Sequence, residues 1–542
     1  MAFNDDEKPP TTTQNEANKQ GLVTMKIPMY SKKDVALTAD SVTAVVELKA
    51  TSSAVVREGL DLVAVVDVSG SMGGHKIESV KRALQFVIMK LTPVDRLSIV
   101  TFASSAKRLN PLLSMTPAAQ DKLKGHVGKL TAGGGTDIKA GLELGLAVVA
   151  GRVYKESRTA NIFLMSDGKV EGGDDPTKTD PGEVPVYTFG FGKGTDHKVL
   201  SAIAMKSIGG TYSSVPDGTN LSVPFAQLLG GLLTVVAQDV RLTLTPKTAD
   251  GDLDKMVVVP GTDYTQTTDA SGTITIKFGT LFSGETRKVA VNFTLKASSD
   301  TKPYNATLAV ARHSYAAEET RQRAQNIVRK RTRNPSSPAT AGIEEQWVHA
   351  ELGRRSYVAF VSEANSMAEE ATGMANQAAK TKDNKKMAEA WRKLEAAQQK
   401  LEDAQDAVEN IMVDDDDKMV NTLRAELARL VEYMQSHELY DEFGRPYALA
   451  TITSHCRQRA AGRGDMEILC LYVTPRMITY VQQAKKFEEN PKEPVPCADE
   501  DVKKEVAENP LAGIAASLSF YLDNAIQALQ AIEKIVSTAS ST

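Results

Sequence analysis

The chain has 542 residues, several times the ~100 to 200 of an ordinary domain, so about three folded units are expected, each able to bury its own core. Hydrophobic content of 42% and charged content of 24% are those of a globular protein and exclude a fibrous or wholly disordered one. A formal net charge of -4 excludes a global pull toward nucleic acid or anionic membrane and leaves only local patches to consider.

Residues 1–20 have almost no apolar content and are expected to form a disordered tail. Their acidic, polar start is unlike a secretory signal, and no apolar run reaches ~18 residues anywhere, so no membrane partner is expected. Two β-branched runs, LVTMKIPMY and SVTAVVELKA, lie within residues 21–59 and are too short to make a sheet alone. From 60 to 236 short apolar runs alternate with helical patterns: LDLVAVVDV, a helix over 77–91, LSIVTF, helices over 118–130 and 138–149, NIFLMS, VPVYTFGF and a helix from His197. Near-continuous apolar strands such as LVAVV suit a doubly wound parallel sheet covered on both faces.

Over 237–315 the pattern changes to alternating strands with turn-rich breaks, a β-sandwich pattern. The two earlier runs would complete that sandwich and make the α/β unit an insertion in it. Residues 316–343, with Arg329, Lys330, Arg331 and Arg333 ahead of NPSSPATAG, read as a basic linker. Residues 344–542 read as helical. Leu394, Leu401 and Val408 follow Trp391 at roughly heptad spacing, and Leu423, Leu427, Leu430 and Met434 make a second stripe. A helical hairpin turning at the acidic run Asp414 to Asp417 is expected, with its stripes packed within the chain, and a last helix over 511–536.

One set of residues carries chemistry. The first strand of the α/β unit ends in Asp67-Val68-Ser69-Gly70-Ser71, a carboxylate and two hydroxyls at alternate positions, where ligands of open α/β sheets bind. Thr136 follows three glycines just before a helix and adds a third hydroxyl; Asp167 in LMSDG ends another strand and adds a second carboxylate. Hard oxygen donors with few carboxylates suit Mg²⁺, with Mn²⁺ or Ca²⁺ as substitutes, and leave coordination places open. Two other readings stay open: helix capping by Ser69 and Ser71, and a metal held for stability alone.

These three loops resemble the von Willebrand factor A (vWA, integrin I-like) family, whose motif is DxSxS, then Thr, then Asp. The resemblance implies that Asp67, Ser69, Ser71, Thr136 and Asp167 hold the ion, and that its open position takes a carboxylate from a protein partner. The chain also resembles the plant vWA proteins related to RING-type ubiquitin ligases, through GRPYALATITSHCRQRAAGRGD (444–465) and LYVTPRMITYVQQAKKFEE (471–489). Those ligases carry an N-terminal RING finger needing about eight Cys and His ligands, whereas residues 1–60 have neither residue type.

The expectation is a non-enzymatic binding or adaptor protein. The alternative is a regulatory or substrate-binding component of a ubiquitin-ligase pathway acting with a RING-bearing partner.

Other features weigh less. Arg463-Gly464-Asp465 is a tripeptide expected often by chance, the RKRTR cluster is more readily a solvated linker than a nuclear import or nucleic-acid signal, and no phosphate-binding glycine loop is present. The three cysteines, Cys456, Cys470 and Cys497, lack paired spacing and suit a reducing compartment, the cytosol or the nucleus. His455 beside Cys456 reads as core rather than as a nucleophile, and no general base stands near the metal loops unless His75 is one.

Overall fold

A computed structural model of the protein describes residues 6–10, 22–26, 28–52, 58–169, 174–217, 219, 221–248, 251–316, 324–336, 342–411, 417–464 and 471–508. Four strands come first: β1 (Val23–Met25), β2 (Met29–Tyr30), β3 (Asp34–Ala36) and β4 (Asp40–Ala50). An alternating unit follows, with β5 (Gly59–Asp67), α1 (His75–Lys90), β6 (Arg96–Phe102), β7 (Ala106–Arg108), β8 (Leu113–Ser114), α2 (Pro117–Gly128), α3 (Ile138–Ala150), β9 (Arg158–Ser166), β10 (Val186–Phe191), α4 (His197–Lys206), β11 (Tyr212–Val215) and α5 (Ser222–Leu232). Then come β12 (Val235–Pro246), β13 (Leu253–Val258), β14 (Thr265–Thr268), β15 (Ile274–Phe282), β16 (Thr286–Leu295), β17 (Tyr304–Ser314) and β18 (Ala324–Thr332). Helices close the described chain: α6 (Ile343–Thr381), α7 (Asn384–Glu409), α8 (Lys418–Tyr433), α9 (His437–Leu439), α10 (Arg445–Arg457), α11 (Pro475–Glu489) and α12 (Ala498–Glu508).

The alternating unit is a doubly wound sheet of order β11-β10-β9-β5-β6-β7, parallel except at β7 and at β8, which pairs with β6. Every residue of β5 is buried. Leu60, Leu62, Ala64 and Val66 join one core with α1 and α5, while Val63 and Val65 join another with α3. That two-sided burial explains the unbroken apolar run. The strand order reverses at β5, which has β6 on one side and β9 on the other, so the crevice at its carboxyl end is a topological switch point.

Two antiparallel sheets form the sandwich around a shared core: β1-β4-β16-β13 with β2 on β4, and β14-β15-β12-β17-β18-β3. β4 runs in full register with β16, Val46 opposite Val289, so the α/β unit is inserted in the sandwich. The run read as one strand over 22–30 is two short strands, both laid on β4.

Two expectations are corrected here. The stretch 316–343 is not a basic linker throughout, because β18 is a sandwich strand within it. Arg331 is wholly buried, bonded to Asp252 at 2.5 Å and to the carbonyls of Ala36, Leu37, Thr38 and Lys296. Arg329 lays its guanidinium on the Tyr30 ring at 3.7 Å. Arg329 and Arg331 are therefore satisfied inside the fold, while Lys330 and Arg333 stay exposed.

The disordered tail does not extend over 6–10 either. Asp6 pairs with Arg96 at 2.5 Å and Glu7 accepts the Ser114 amide at 2.8 Å, polar contacts that low apolar content conceals. The rest of the first 20 residues lies outside the described ones.

In the helical region α6 and α7 make a long antiparallel pair that turns at Lys382, in the left-handed conformation. Leu394, Ala397, Leu401, Ala404 and Val408 face Ala364, Ala368 and Ala371, with Leu423, Leu427, Leu430 and Met434 of the α8 segment in the same core. The stripes thus pack within the chain, α7 and α8 lying against each other on either side of the acidic run, and the longer α6–α7 hairpin precedes them. Asp417 caps α8 by accepting the Met419 amide at 2.8 Å. Asp414 to Asp416 and the expected helix over 511–536 lie outside the described residues.

Buried charges join the units. Arg459, just past α10, uses all five of its N–H donors: on both Glu285 oxygens (2.9 and 2.8 Å), the Thr280 carbonyl (2.8 Å), and Tyr187 Oη and the Gly209 carbonyl (both 3.0 Å). Glu351 of α6 bonds Arg354 and Arg355 at 2.7 and 2.9 Å. Glu426 of α8 is bonded by Arg463 and by His455 Nε2, the latter at 2.8 Å. Burial pushes the His455 imidazole down, so it is neutral and donates from Nε2, and the Arg463 guanidinium supplies the compensating charge.

These groups set the acid behaviour. Burial alone would raise Glu351 and Glu426, but Arg354 and Arg463 outweigh it and hold each at about 2. Burial pushes His197, whose Nδ1 lies 2.6 Å from Tyr212 Oη, down to about 4. In all three the folded chain resists a proton that the unfolded chain accepts, so stability falls as pH falls. Urea midpoints are expected to be highest near neutrality, to drop between about pH 6.5 and 4 through His197, and to drop again from about pH 4.5 toward 2 through the glutamates. A midpoint that is flat or rising on acidification contradicts this arrangement.

Candidate metal centre

At the carboxyl end of β5 the chain leaves the sheet through Val68 and Ser69 into a single turn over Gly70–Met72, before α1 begins. Three loops are tied together there by their backbones: the Gly70 amide donates to the Gly134 carbonyl at 2.9 Å, the Gly133 amide to Val68 at 2.8 Å and the Asp137 amide to Ala103 at 2.8 Å. Gly134 has φ +89°, a conformation that favours glycine. Gly168 is a close-approach position, since a Cβ there would stand 2.9 Å from Thr136 Oγ1. Glycines in these loops thus let them meet over the ends of β5 and β9.

The structure brings the five predicted residues together. Asp67 is fully buried, with Oδ1 accepting the Ser69 amide at 2.8 Å and Oδ2 accepting Ser166 Oγ at 2.5 Å. Ser69 and Ser71 hydroxyls lie 3.0 Å apart, and Ser71 Oγ donates to Asp167 Oδ1 at 2.8 Å. Thr136, also buried, faces Gly168, one residue beyond Asp167.

Sequence reasoning missed two participants. Ser166, hidden in the apolar run before Asp167, orients Asp67. Lys76, in the first turn of α1, places Nζ 2.5 Å from Asp167 Oδ2. Its position one turn after the serine loop was the available signal.

The two aspartates of β5 show what sets this end apart. Asp61, at the start of the strand, meets Arg96, Arg152 and Arg158 at 2.7 to 2.8 Å. Burial alone would raise its carboxyl, but hydrogen bonds and charge from Arg96 and Arg158 hold it below the usual range. Asp67, at the other end, meets hydroxyls and an amide instead. Burial pushes it up, the hydrogen bonds from Ser166 and Ser69 do not offset this, and the Asp167 charge adds to it. Two buried carboxylates thus share a site whose nearby ammonium is on one side only.

Such a donor set suits a small hard cation. All five side chains offer oxygen, two of them as carboxylates, and a positive group already rests on Asp167. Among the described residues no group of three or more His, Cys, Asp and Glu side chains gathers to hold a metal; here hydroxyls take the places that further carboxylates would. Capping does not account for the cluster, since neither the turn at Gly70 nor α1 has a side-chain cap.

His75 is exposed, with Nδ1 3.5 Å from Ser79 Oγ. Burial pushes the Cys456 thiol up to about 11, which disfavours the thiolate, and the neighbouring His455 is bonded to Glu426. Cys470 and Asp465 lie outside the described residues, and Arg463 of the tripeptide is buried on Glu426.

Crowding two carboxylates carries a cost in stability when no cation is supplied. In EDTA, Asp67→Asn is expected to melt at or above the temperature of the parent chain, because the amide oxygen still accepts the Ser69 amide, the NH2 can donate to Ser166 Oγ with that bond reversed, and the repulsion is removed. A melting temperature several degrees lower counts against this charge balance.

Residues 61–227 match the von Willebrand factor type A domain, and residues 417–486 match a family described as VWA / Hh protein intein-like. The E3 ubiquitin-protein ligase WAV3 of Arabidopsis thaliana is 31% identical over 258 residues, 45% of this chain and 32% of that protein. An uncharacterised Synechocystis protein is 34% identical over 191 residues, 34% of this chain and 44% of its own length. The chain thus spans less than half the length of either relative. A solved von Willebrand factor type A structure from Catenulispora acidiphila superposes with a TM-score of 0.55 at 17% identity, covering 74% of this chain and 89% of that one, a likeness of fold. The α/β unit of this chain is a von Willebrand factor type A domain.

Proposed function

We propose that the vWA domain binds a divalent cation through Asp67, Ser69, Ser71, Thr136 and Asp167 and with it captures an acidic side chain of a protein partner. The convergence of these five oxygen-bearing side chains at the switch point of the sheet carries the reading. Mg²⁺, or Mn²⁺ or Ca²⁺ in its place, supplies an electrophilic centre with positions left for an outside carboxylate.

The chain's own residues do the rest. Asp67 is held in one orientation by Ser166 and the Ser69 amide, so its oxygens need no reordering. Ser69 and Thr136 are buried and Ser71 is exposed, which leaves the open face of the site on the Ser71 side. Lys76 shields Asp167 and, at the rim, offers an ammonium to an approaching acid.

The reading is a binding or adaptor role without catalysis, in the reducing cytosol or nucleus that three cysteines without paired spacing in the sequence suit. A second reading is favoured by the similarity to WAV3 over 45% of this chain: a substrate-binding or regulatory part in a ubiquitin-ligase pathway, joined to a RING-bearing partner.

Affinity capture with and without EDTA tests both. Under the first reading, an Mg²⁺-dependent partner is lost on chelation and with Asp67→Ala, while the variant keeps its melting transition. A RING-bearing partner retained by Asp67→Ala supports the second. Capture indifferent to both treatments, without a RING protein, refutes the cation-dependent role.

A further inference from the structure

Where the sandwich edge meets the helical region lies a cleft of ≈ 510 Å³ that includes no residue of the vWA domain in its described lining. We infer that this cleft binds a small amphipathic organic anion, its acidic group on Lys288 and its apolar body along Met29, Trp347 and Met419. The volume falls within the range of ligand pockets, roughly 300 to 1,000 Å³, and the mixed lining is of the same kind.

Charge decides the sign of the ligand. Three cations and three carboxylates line the cleft. Lys26 and Glu47 pair at the mouth at 2.6 Å, and Arg354 and Glu351 pair at the back at 2.7 Å. Glu285 is taken by Arg287 and Arg459, which are not part of the lining. Lys288 is left with no ion pair to a described residue, and its ammonium stands 5.4 Å from the centre of the Trp347 ring. Lys288 stands opposite Glu47 in the β4–β16 register and its charge reaches Glu351, but a cation without a direct ion pair among the described residues suits a single carboxylate or sulfonate; a polyphosphate would need more.

Shape and hydrogen bonding complete the argument. Trp347 is 41% exposed, a large aromatic left half-covered in a cleft wall where an apolar body would shield it. The Tyr472 hydroxyl is buried in the lining with no hydrogen-bond partner among the described residues, while its ring is fixed edge-on to His455 at 5.7 Å. A buried hydroxyl without a partner costs free energy that a ligand atom bonded to it would recover. The site is independent of the metal reading.

The full chain has two tryptophans, so Trp391→Phe leaves Trp347 as the sole donor for energy transfer to a bound dye. The probe is 8-anilinonaphthalene-1-sulfonate, an aromatic body with one anionic group. Saturable transfer from Trp347 is expected, displaced by decanoate and not by decyltrimethylammonium. Lys288→Glu should weaken the dye roughly tenfold and Lys288→Arg should retain it, with Lys288→Gln as a milder variant should the glutamate alter the melting transition. Tyr472→Phe should weaken decanoate a few-fold. Absence of saturable transfer, equal binding by both Lys288→Glu and Lys288→Gln with unchanged melting, or equal displacement by the cationic competitor overturns the proposal.

Discussion

Arg459 is the contact on which the assembly of the three units depends. It sits just beyond α10, yet its donors end on the sandwich at Glu285 and Thr280 and on the vWA domain at Tyr187 and Gly209. Its guanidinium also stacks over Phe282 at 3.9 Å. A buried cation with every donor satisfied is tolerable, whereas removing either partner of such a pair leaves a charge in a low-dielectric interior at a cost of about 3 to 5 kcal/mol. Loss of the helical region would leave Glu285 paired with Arg287 and its Oε1 without the Arg459 bond. The segment from α10 to Gly464 acts as a wedge, with Arg457 bonded to the Ser207 carbonyl of the vWA domain and Arg463 to Glu426 of α8.

That wedge frames the proposed metal centre. Thr453 Oγ1 bonds the backbone of Tyr212 at 3.3 Å, and the Ser214 amide donates to Gly462 at 2.9 Å, so the edge of the parallel sheet is covered by the helical region. α11 packs on α5, and Lys90 at the far end of α1 is buried against Asp501, Gln483 and the Pro496 carbonyl. α1 is thus held at its carboxyl end by α11 and α12 and begins, at its amino end, in the serine loop. Fixed loops matter because a cation site gains little from donors that must first be ordered.

Much of this was legible in the sequence, for identifiable reasons. Long β-branched runs marked β5, β9, β10 and β12 to β17 except β14, and oxygen-bearing residues at strand and helix ends marked the three loops that meet at the candidate metal centre. Short or polar strands did not. β14 (TQTT) is fully exposed, and β18 carries Arg329 and Arg331, whose charges read as linker until the Tyr30 ring and Asp252 are seen to receive them. The long α6–α7 hairpin was obscured because alanine supplies much of its seam, a weak periodic signal. At the site, Ser166 and Lys76 were missed because each acts through another residue, a relation that spacing alone does not reveal.

The central claim is that five oxygen donors at the end of β5 form a divalent-cation site. Crystals of the full chain grown with Mn²⁺ and measured for anomalous scattering test it most directly. The account predicts one strong peak bounded by Asp67, Ser69, Ser71, Thr136 and Asp167, with the Lys76 ammonium displaced from Asp167. An anomalous map without a peak there, and with Lys76 still paired to Asp167, would contradict it.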